Sequence, residues 1–132
     1  MLVDTSVWSL VLHRKNRQNE PAALFLEEQI LKDSSIYISG IIYQEILQGI
    51  KNEVHYLKVK RYLEDFDFLP ANPEVHALAA KIFKQCRSKG ISAHTVDCLI
   101  ASLAIYYKRP LLTTDNDFKL IAHHTELSLI KL

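Results

Sequence analysis

The segment at residues 90–118, GISAHTVDCLIASLAIYYKRPLLTTDNDF, constrains the fold more tightly than any other part of the sequence. Apolar residues recur in it at spacings of three and four, which predicts a helix that buries one face. These residues are Val96, Leu99, Ile100, Leu103, Ala104 and Tyr107. We expect Ser92 to cap this helix, because its hydroxyl can accept a hydrogen bond from a free backbone N–H. Pro110 cannot continue the helix, so a turn follows, and then a buried strand that starts at Leu111.

One acidic residue, Asp97, lies in the second turn of this predicted helix, beside Val96, Cys98 and Leu99. A solvated helix surface accommodates an acid easily, but these apolar neighbours predict a position that is only partly wet. A second acid, Asp115, lies at the carboxyl end of the strand that follows. The two acids are therefore candidates for a functional site.

Asp4 lies in a similar position near the start of the chain. Residues 1–3 are apolar and predict a buried strand, which Asp4 follows directly. Thr5 or Ser6 is expected to cap a short helix that runs through Leu12. The inward-facing residues of that helix are predicted to be Val7, Leu10 and Val11. The alternative interpretation of Asp4 is a helix cap without any role in a site.

Glu45 is the fourth candidate, and it lies in a helix that follows another predicted strand. Residues 34–38 predict the strand, Ser39 the N-cap of the helix and Gly49 its end. Glu45 directly precedes Ile46, which belongs to the apolar stripe of that helix. The alternative interpretation of Glu45 is an ordinary exposed glutamate on a helix.

The remaining segments also alternate between helix and strand patterns. Helices are predicted at Pro21–Leu31, at residues 52–65, from Pro73 to a stop at Gly90, and after the caps Asn116 and Asp117, and strands at residues 66–69 and 127–130. This alternation predicts an α/β fold, with a mostly parallel sheet and helices on both faces. The length suits a single domain over residues 1–132.

The four acids are predicted to converge at one edge of the sheet, because sites in parallel sheets gather outside the carboxyl ends of the strands. Clustered carboxylates cannot all ionise cheaply, and a divalent cation removes that cost. Oxygen ligands favour Mg²⁺ or Mn²⁺ over zinc, so the implied chemistry is metal-assisted hydrolysis of a phosphodiester. Thr5, Ser6 and Thr114 are candidates to orient the carboxylates or the metal-bound water.

The composition argues against several other classes of protein. The formal net charge is +1 and no apolar run reaches the ~18 residues of a membrane span. Met1 leads directly into an apparent core strand, so we expect no signal peptide and a cytoplasmic location. Cys86 and Cys98 fall on apolar helix faces and are expected to be reduced. The sequence has no zinc-ligand spacing and no glycine-rich phosphate loop.

Three motifs, taken in order and spacing, resemble the PIN domain family, and most closely its VapC-type ribonuclease toxins. The motifs are LVDTSVW near the start, ISGIIYQEILQG in the middle, and TVDCLIASLA followed by LLTTDNDF. The resemblance spans nearly the whole chain. It implies a Rossmann-like parallel sheet with a small helical protrusion, and cleavage of single-stranded or loop RNA that depends on Mg²⁺ or Mn²⁺.

Residue by residue, the resemblance implies that Asp4 and Asp97 are the principal metal ligands. Glu45 and Asp115 would complete the catalytic acidic cluster, and Asp117 would be a supporting fifth member.

The resemblance also implies partners: an RNA substrate, a cognate antitoxin protein, and a second copy of the chain in a homodimer formed by helices of the first half. RNA contacts are expected from Arg14, Lys15 and Arg17, with Lys51 a weaker candidate, although a charged loop is more often merely solvated. His94 departs from the small or polar residue expected there and is interpreted as a surface histidine, with RNA contact as the alternative. The alternative function is that of a non-catalytic PIN-like module with an RNA-binding or regulatory role.

Overall fold

The computed structural model describes residues 1–13 and 19–132. These residues form four short strands and seven helices, labelled here in chain order. The strands are β1 (Leu2–Val3), β2 (Tyr37–Ser39), β3 (Asp67–Leu69) and β4 (Leu111–Leu112). The helices are α1 (Thr5–Leu12), α2 (Pro21–Leu31), α3 (Gly40–Gln48), α4 (Glu53–Glu64), α5 (Pro73–Ser88), α6 (Thr95–Tyr106) and α7 (Asp117–His124). The order of elements is the one that the sequence patterns predict, except that no strand follows α7.

The strands form a parallel sheet in the order β3-β2-β1-β4. The chain moves outwards from β1 to β3 and then returns to the other side of β1 with β4. The strand order therefore reverses between β1 and β4, and parallel sheets place their sites at such a switch point. The register pairs Val3 with Leu112. Asp4 and Thr113, the next residues on the two strands, consequently lie next to each other.

The helices pack around this sheet in two groups, since α1 contacts α2 and α3, whereas α5 contacts α6 and α7. Trp8 of α1 is fully buried against the rings of Tyr62 and Phe66, and its indole Nε1 donates to the Val3 carbonyl at 3.1 Å. Of the inward face predicted for α1, only Val7 is fully buried. Leu10 and Val11 are half-buried, because the side of α1 that carries Trp8 turns towards the core.

Two other features of the core bear on the predictions. Cys86 and Cys98 are both free and buried, as expected. In the described segments, every helix is too short or too polar to cross a lipid bilayer.

The predicted cap Ser39 is confirmed, whereas the predicted caps Ser92 and Thr5 or Ser6 are wrong; α1 begins at Thr5 with Asp4 in the N-cap position. Ser39 accepts a hydrogen bond from the Ile42 N–H at 3.4 Å at the start of α3, and Asn72 caps α5 in the same way. Ser92, in contrast, does not cap α6, which begins at Thr95 with His94 in the N-cap position. The start is later because residues 91–94 form a loop whose apolar side chains pack against the core.

The last part of the chain also departs from prediction. Asn116 stands at the N-cap position of α7 but makes no side-chain cap hydrogen bond. Instead, Asp115 Oδ1 accepts from the Asp117 N–H at 2.9 Å. Residues 127–130 contribute an isolated parallel bridge between Leu111 and Leu129 rather than a full strand.

Gly90 ends α5 in a conformation that favours glycine, with φ of +74°. Its N–H and that of Ile91 bond to the carbonyls of Arg87 and Cys86, which is the pattern of a Schellman motif. We expect Gly90→Ala to lower the free energy of unfolding by about 1 kcal/mol, because a Cβ disfavours this region. Gly40→Ala is the control, since its added Cβ meets no atom within 4 Å. Equal effects of the two variants in urea unfolding would contradict the prediction.

Candidate active site

Asp4 is the most buried acid of the candidate site, with a relative exposure of 5%. It lies directly after β1, at the switch point of the sheet. Its position is the N-cap of α1, yet its side chain makes no cap hydrogen bond. Asp4 therefore occupies the N-cap position of α1, as the alternative interpretation predicts, but its carboxylate does not cap the helix and is held by other groups.

Two hydroxyl groups hold that carboxylate. Ser6 Oγ and Thr113 Oγ1 each donate to Asp4 Oδ2 at 2.8 Å. Each hydroxyl in turn accepts a backbone N–H, from Thr114 at 3.1 Å for Ser6 and from Asp115 at 3.0 Å for Thr113. The loop after β4 is thus connected to Asp4 through two hydrogen-bonded side chains, which fixes the carboxylate relative to Asp115.

Glu45 reaches the same edge of the sheet from α3. Its Oε1 accepts a hydrogen bond from Thr5 Oγ1 at 2.9 Å, and the residue is half-buried. The interpretation of Glu45 as an ordinary exposed helical glutamate is wrong, because Glu45 is half-buried and its carboxylate accepts a hydrogen bond from Thr5, the residue after Asp4.

Three further acids come together beside Asp4. Carboxylate oxygens of Asp97, Asp115 and Asp117 all lie within 4.8 Å of one another. Asp97 comes from the first turn of α6, whereas Asp115 and Asp117 come from the loop and helix that follow β4. No amino or guanidinium group pairs with them within residues 1–13 and 19–132.

The pKa of Asp97 shows the cost of this arrangement. Burial and the nearby charge of Asp115 raise the pKa of Asp97 to about 6, and Asp4 and Asp117 act in the same direction. His94 acts in the opposite direction but does not compensate. A carboxyl group whose ionisation is disfavoured by its neighbours is what a bound cation would relieve.

A comparison of the sequence with known protein families identifies the family of this chain. The family model described as "PIN domain" matches residues 1–124. The chain belongs to the PIN domain family.

Solved structures of PIN-like chains confirm the architecture. A chain of VapBC2 from Rickettsia felis, bound to a DNA fragment from its promoter, is 22% identical with a TM-score of 0.79, and the match covers 99% of this chain and 97% of that one. A chain of FitAcB from Neisseria gonorrhoeae is 22% identical with a TM-score of 0.75, and the match covers 98% of this chain and 96% of that one. A chain of VapBC-5 from Mycobacterium tuberculosis, a member of the VapBC family of toxin–antitoxin systems, is 18% identical with a TM-score of 0.72. The match covers 99% of this chain and 97% of that one. The predicted PIN-like α/β fold is therefore confirmed.

In this PIN domain, the predicted catalytic acids occupy one edge of the sheet, although not as one uniform cluster. Asp97 and Asp115 belong to the close group of three, and Asp117 joins them. Asp4 adjoins this group through the hydrogen bonds of Thr113, and Glu45 is linked to the edge through Thr5.

The predicted supporting and RNA-binding residues have different outcomes. Ser6 donates to Asp4, whereas Thr114 contributes its backbone N–H and, among the residues that the structure describes, makes no side-chain hydrogen bond. Arg14, Lys15 and Arg17 lie outside the described residues.

The sequence interpretation missed Thr113. Its hydroxyl has the contact to Asp4 that the sequence suggested for Thr114. Thr113 is identified by the register of β1 with β4, which pairs Val3 with Leu112 and so places Thr113 beside Asp4. The sequence alone does not reveal this register.

Proposed function

We propose that this PIN domain is a metal-dependent endoribonuclease that hydrolyses phosphodiester bonds of single-stranded or loop RNA, and acts as the toxin of a toxin–antitoxin pair. The observation that carries the proposal is the group of Asp97, Asp115 and Asp117 beside Asp4, with the raised pKa of Asp97. Acids placed so close together cost free energy in the absence of a cation, and that cost suits a functional role.

The residues present fit a hard divalent cation. All the side chains of the close group offer carboxylate oxygens, which suit Mg²⁺ or Mn²⁺ rather than zinc. Asp97, Asp115 and Asp117 would hold the ion, with Asp4 adjoining. When bound, such an ion stabilises the charge of a phosphate and lowers the pKa of a water molecule.

The chain's own contribution is to hold these carboxylates in place. Ser6 and Thr113 fix the orientation of Asp4, and the Asp117 N–H fixes one oxygen of Asp115. Because these groups come from strand ends and helix starts, their positions are defined before any substrate binds.

The toxin role is supported by the shared fold. VapBC-5 is described as a member of the VapBC family of toxin–antitoxin systems, and its chain matches nearly the whole length of this one. We propose that a cognate antitoxin binds this chain and holds it inactive, and that the pair acts in the cytoplasm.

The test of this function is direct. The purified protein is incubated with total RNA and Mg²⁺ or Mn²⁺, and new RNA ends are mapped by sequencing. The same mapping is done in cells after brief induction. We expect defined cleavage sites and arrested growth. If neither RNA integrity nor growth changes, the toxin proposal is wrong, and the non-catalytic module becomes the better interpretation.

We also propose a homodimer formed through helices of the first half. Apolar side chains on these helices are exposed, including Leu31 of α2 at 88% and Val54 and Leu57 of α4 at 64% and 42%. Val54 and Leu57 are three residues apart and so share one face of α4.

The dimer proposal predicts a change of mass in solution. We expect the wild-type protein to have the mass of a dimer by light scattering, and Val54→Glu with Leu57→Glu to give a folded monomer, because charges disfavour the apolar contact. Leu120→Glu on α7, 51% exposed, is the matched control and should remain a dimer. A wild-type monomer, or a double variant that stays dimeric, would show that this surface is not the interface.

A further inference from the structure

A cavity lies next to the acidic centre, at the junction of α5 and α6. Its volume is about 280 Å³, and its lining residues are Phe83, Arg87, Ile91, Ser92, Ala93, His94 and Thr95. No acidic residue lines it, unlike a second cavity of about 410 Å³, whose lining includes Asp115. Of these two cavities, the α5–α6 cavity is therefore the one whose lining does not itself repel a phosphate.

Arg87 and Phe83 give this cavity a cationic group and an aromatic surface. They lie one turn apart on α5, and the Arg87 guanidinium carbon is 5.2 Å from the centroid of the Phe83 ring. No carboxylate of the described chain forms an ion pair with Arg87. Stacking on the ring restrains the plane of the guanidinium, so its N–H donors remain available for an anion.

The cavity is close to the carboxylates. His94 and Thr95 line it, and Asp97 follows within the first turn of α6, so the separation along the helix is less than one pitch of about 5.4 Å.

We propose that this cavity binds one nucleotide of a single-stranded RNA next to the phosphodiester at the acidic centre. The phosphate of that nucleotide pairs with Arg87, whose guanidinium lies over the Phe83 ring, and its base lies against the apolar lining made by Ile91 and Ala93. Arginine suits a phosphate because its planar group donates two hydrogen bonds at once, and an apolar wall suits the face of a base of any sequence. The inference rests on the proposed nuclease function and names the place where its substrate is held.

A matched pair of arginines makes the test selective. Arg109 also stacks on an aromatic ring, that of Tyr37 at 4.8 Å, but it precedes β4 at the amino end of the strands. Arg87→Ala and Arg109→Ala therefore remove the same charge and the same kind of contact. Arg87 lies at the cavity beside the acidic group, whereas Arg109 lies at the amino end of the strands.

The experiment measures binding of a fluorescent single-stranded RNA of mixed sequence by anisotropy, over a range of salt concentrations at constant Mg²⁺. All proteins carry Asp97→Asn, so that the RNA stays intact. We expect Arg87→Ala to weaken binding about tenfold and to lower the salt slope by about one unit. Arg87→Lys should restore the slope and only part of the affinity. Arg109→Ala should change neither.

A parallel cleavage assay with the otherwise wild-type protein separates this inference from the proposed function. If RNA is cleaved but Arg87→Ala binds as tightly as Arg109→Ala does, the cavity inference is overturned and the nuclease stands. If RNA is not cleaved but Arg87→Ala selectively weakens binding, the cavity inference stands and the nuclease proposal fails. If the parent protein binds no RNA, the cavity inference is overturned whatever the cleavage assay shows.

Discussion

Replacing Asp97 by Asn is expected to abolish RNA cleavage and, in the absence of metal, to make the protein slightly more stable. The loss should be about 100-fold or more, the scale seen when one group that stabilises transition-state charge is removed. Asn is nearly isosteric with Asp but cannot carry the negative charge that a cation requires. Asp97 occupies the first turn of α6, and its carboxylate lies within 4.8 Å of those of Asp115 and Asp117.

The gain in stability follows from the pKa of Asp97 in the folded protein. That pKa is about 6, above the value of about 3.9 for an aspartate in an unfolded chain. The folded state therefore holds more protons than the unfolded state between these two pH values, and its stability falls as the pH rises through them. Above pH ~6 the wild-type protein bears the full cost of the ionised carboxylate, whereas Asp97→Asn does not. The difference in stability should grow from pH 4 to pH 6 and then level off.

Thermal melts in EDTA and in Mn²⁺ measure both effects. In EDTA at neutral pH we expect a rise in the melting temperature of about 3–5 °C for each kcal/mol gained. In Mn²⁺ the wild-type protein should be stabilised and the variant much less, because a ligand stabilises only a folded state that binds it. Asp67→Asn, an exposed acid on β3, is the control and should change neither melt. A lower melting temperature of Asp97→Asn in EDTA, with the Mn²⁺ shift intact, would show that Asp97 is structural.

The sequence was sufficient to predict the fold because the signals that determine it are local. The helix predicted from the spacing of Val96 to Tyr107 and the start of α5 at Pro73 are both present in the structure, as are four of the five predicted strands. Asp4 and Asp115 follow from the same logic, since residues after parallel strands gather at one edge.

What the sequence could not supply depends on how elements pack against one another. The start of α6 shifts from Ser92 to Thr95 because Ile91 and Ala93 pack against the core, and a local cap preference carries no information about that contact. This loop also lines the α5–α6 cavity, so the proposed nucleotide site was not visible in the pattern of residues. The orientation of Asp4 likewise depends on strand register, which shifts the relevant hydroxyl from Thr114 to Thr113.

That pair of neighbouring threonines provides the second large expected effect. Thr113→Val keeps the shape of the side chain but removes one of the two donors to Asp4 Oδ2 and the acceptor for the Asp115 N–H. Because Asp4 is only 5% exposed, water cannot readily replace the lost donor. We expect a loss of roughly 1–3 kcal/mol in the free energy of unfolding, the cost of leaving a buried group unsatisfied. Cleavage should fall about 10–100-fold, as when a partner that orients a metal ligand is removed.

Thr114→Val is the matched control, since Thr114 is exposed and enters the network through its backbone N–H, which valine retains. Its stability should stay within about 0.5 kcal/mol of the wild-type value, and its cleavage rate should be unchanged. Ser6→Ala completes a double-mutant cycle with Thr113→Val. The two changes should be non-additive, because both hydroxyls donate to the same oxygen of Asp4. Urea unfolding and initial cleavage rates of the four proteins decide the matter. If Thr114→Val is as damaging as Thr113→Val, or if Ser6 and Thr113 act independently, then Asp4 is not held by this pair of hydroxyls.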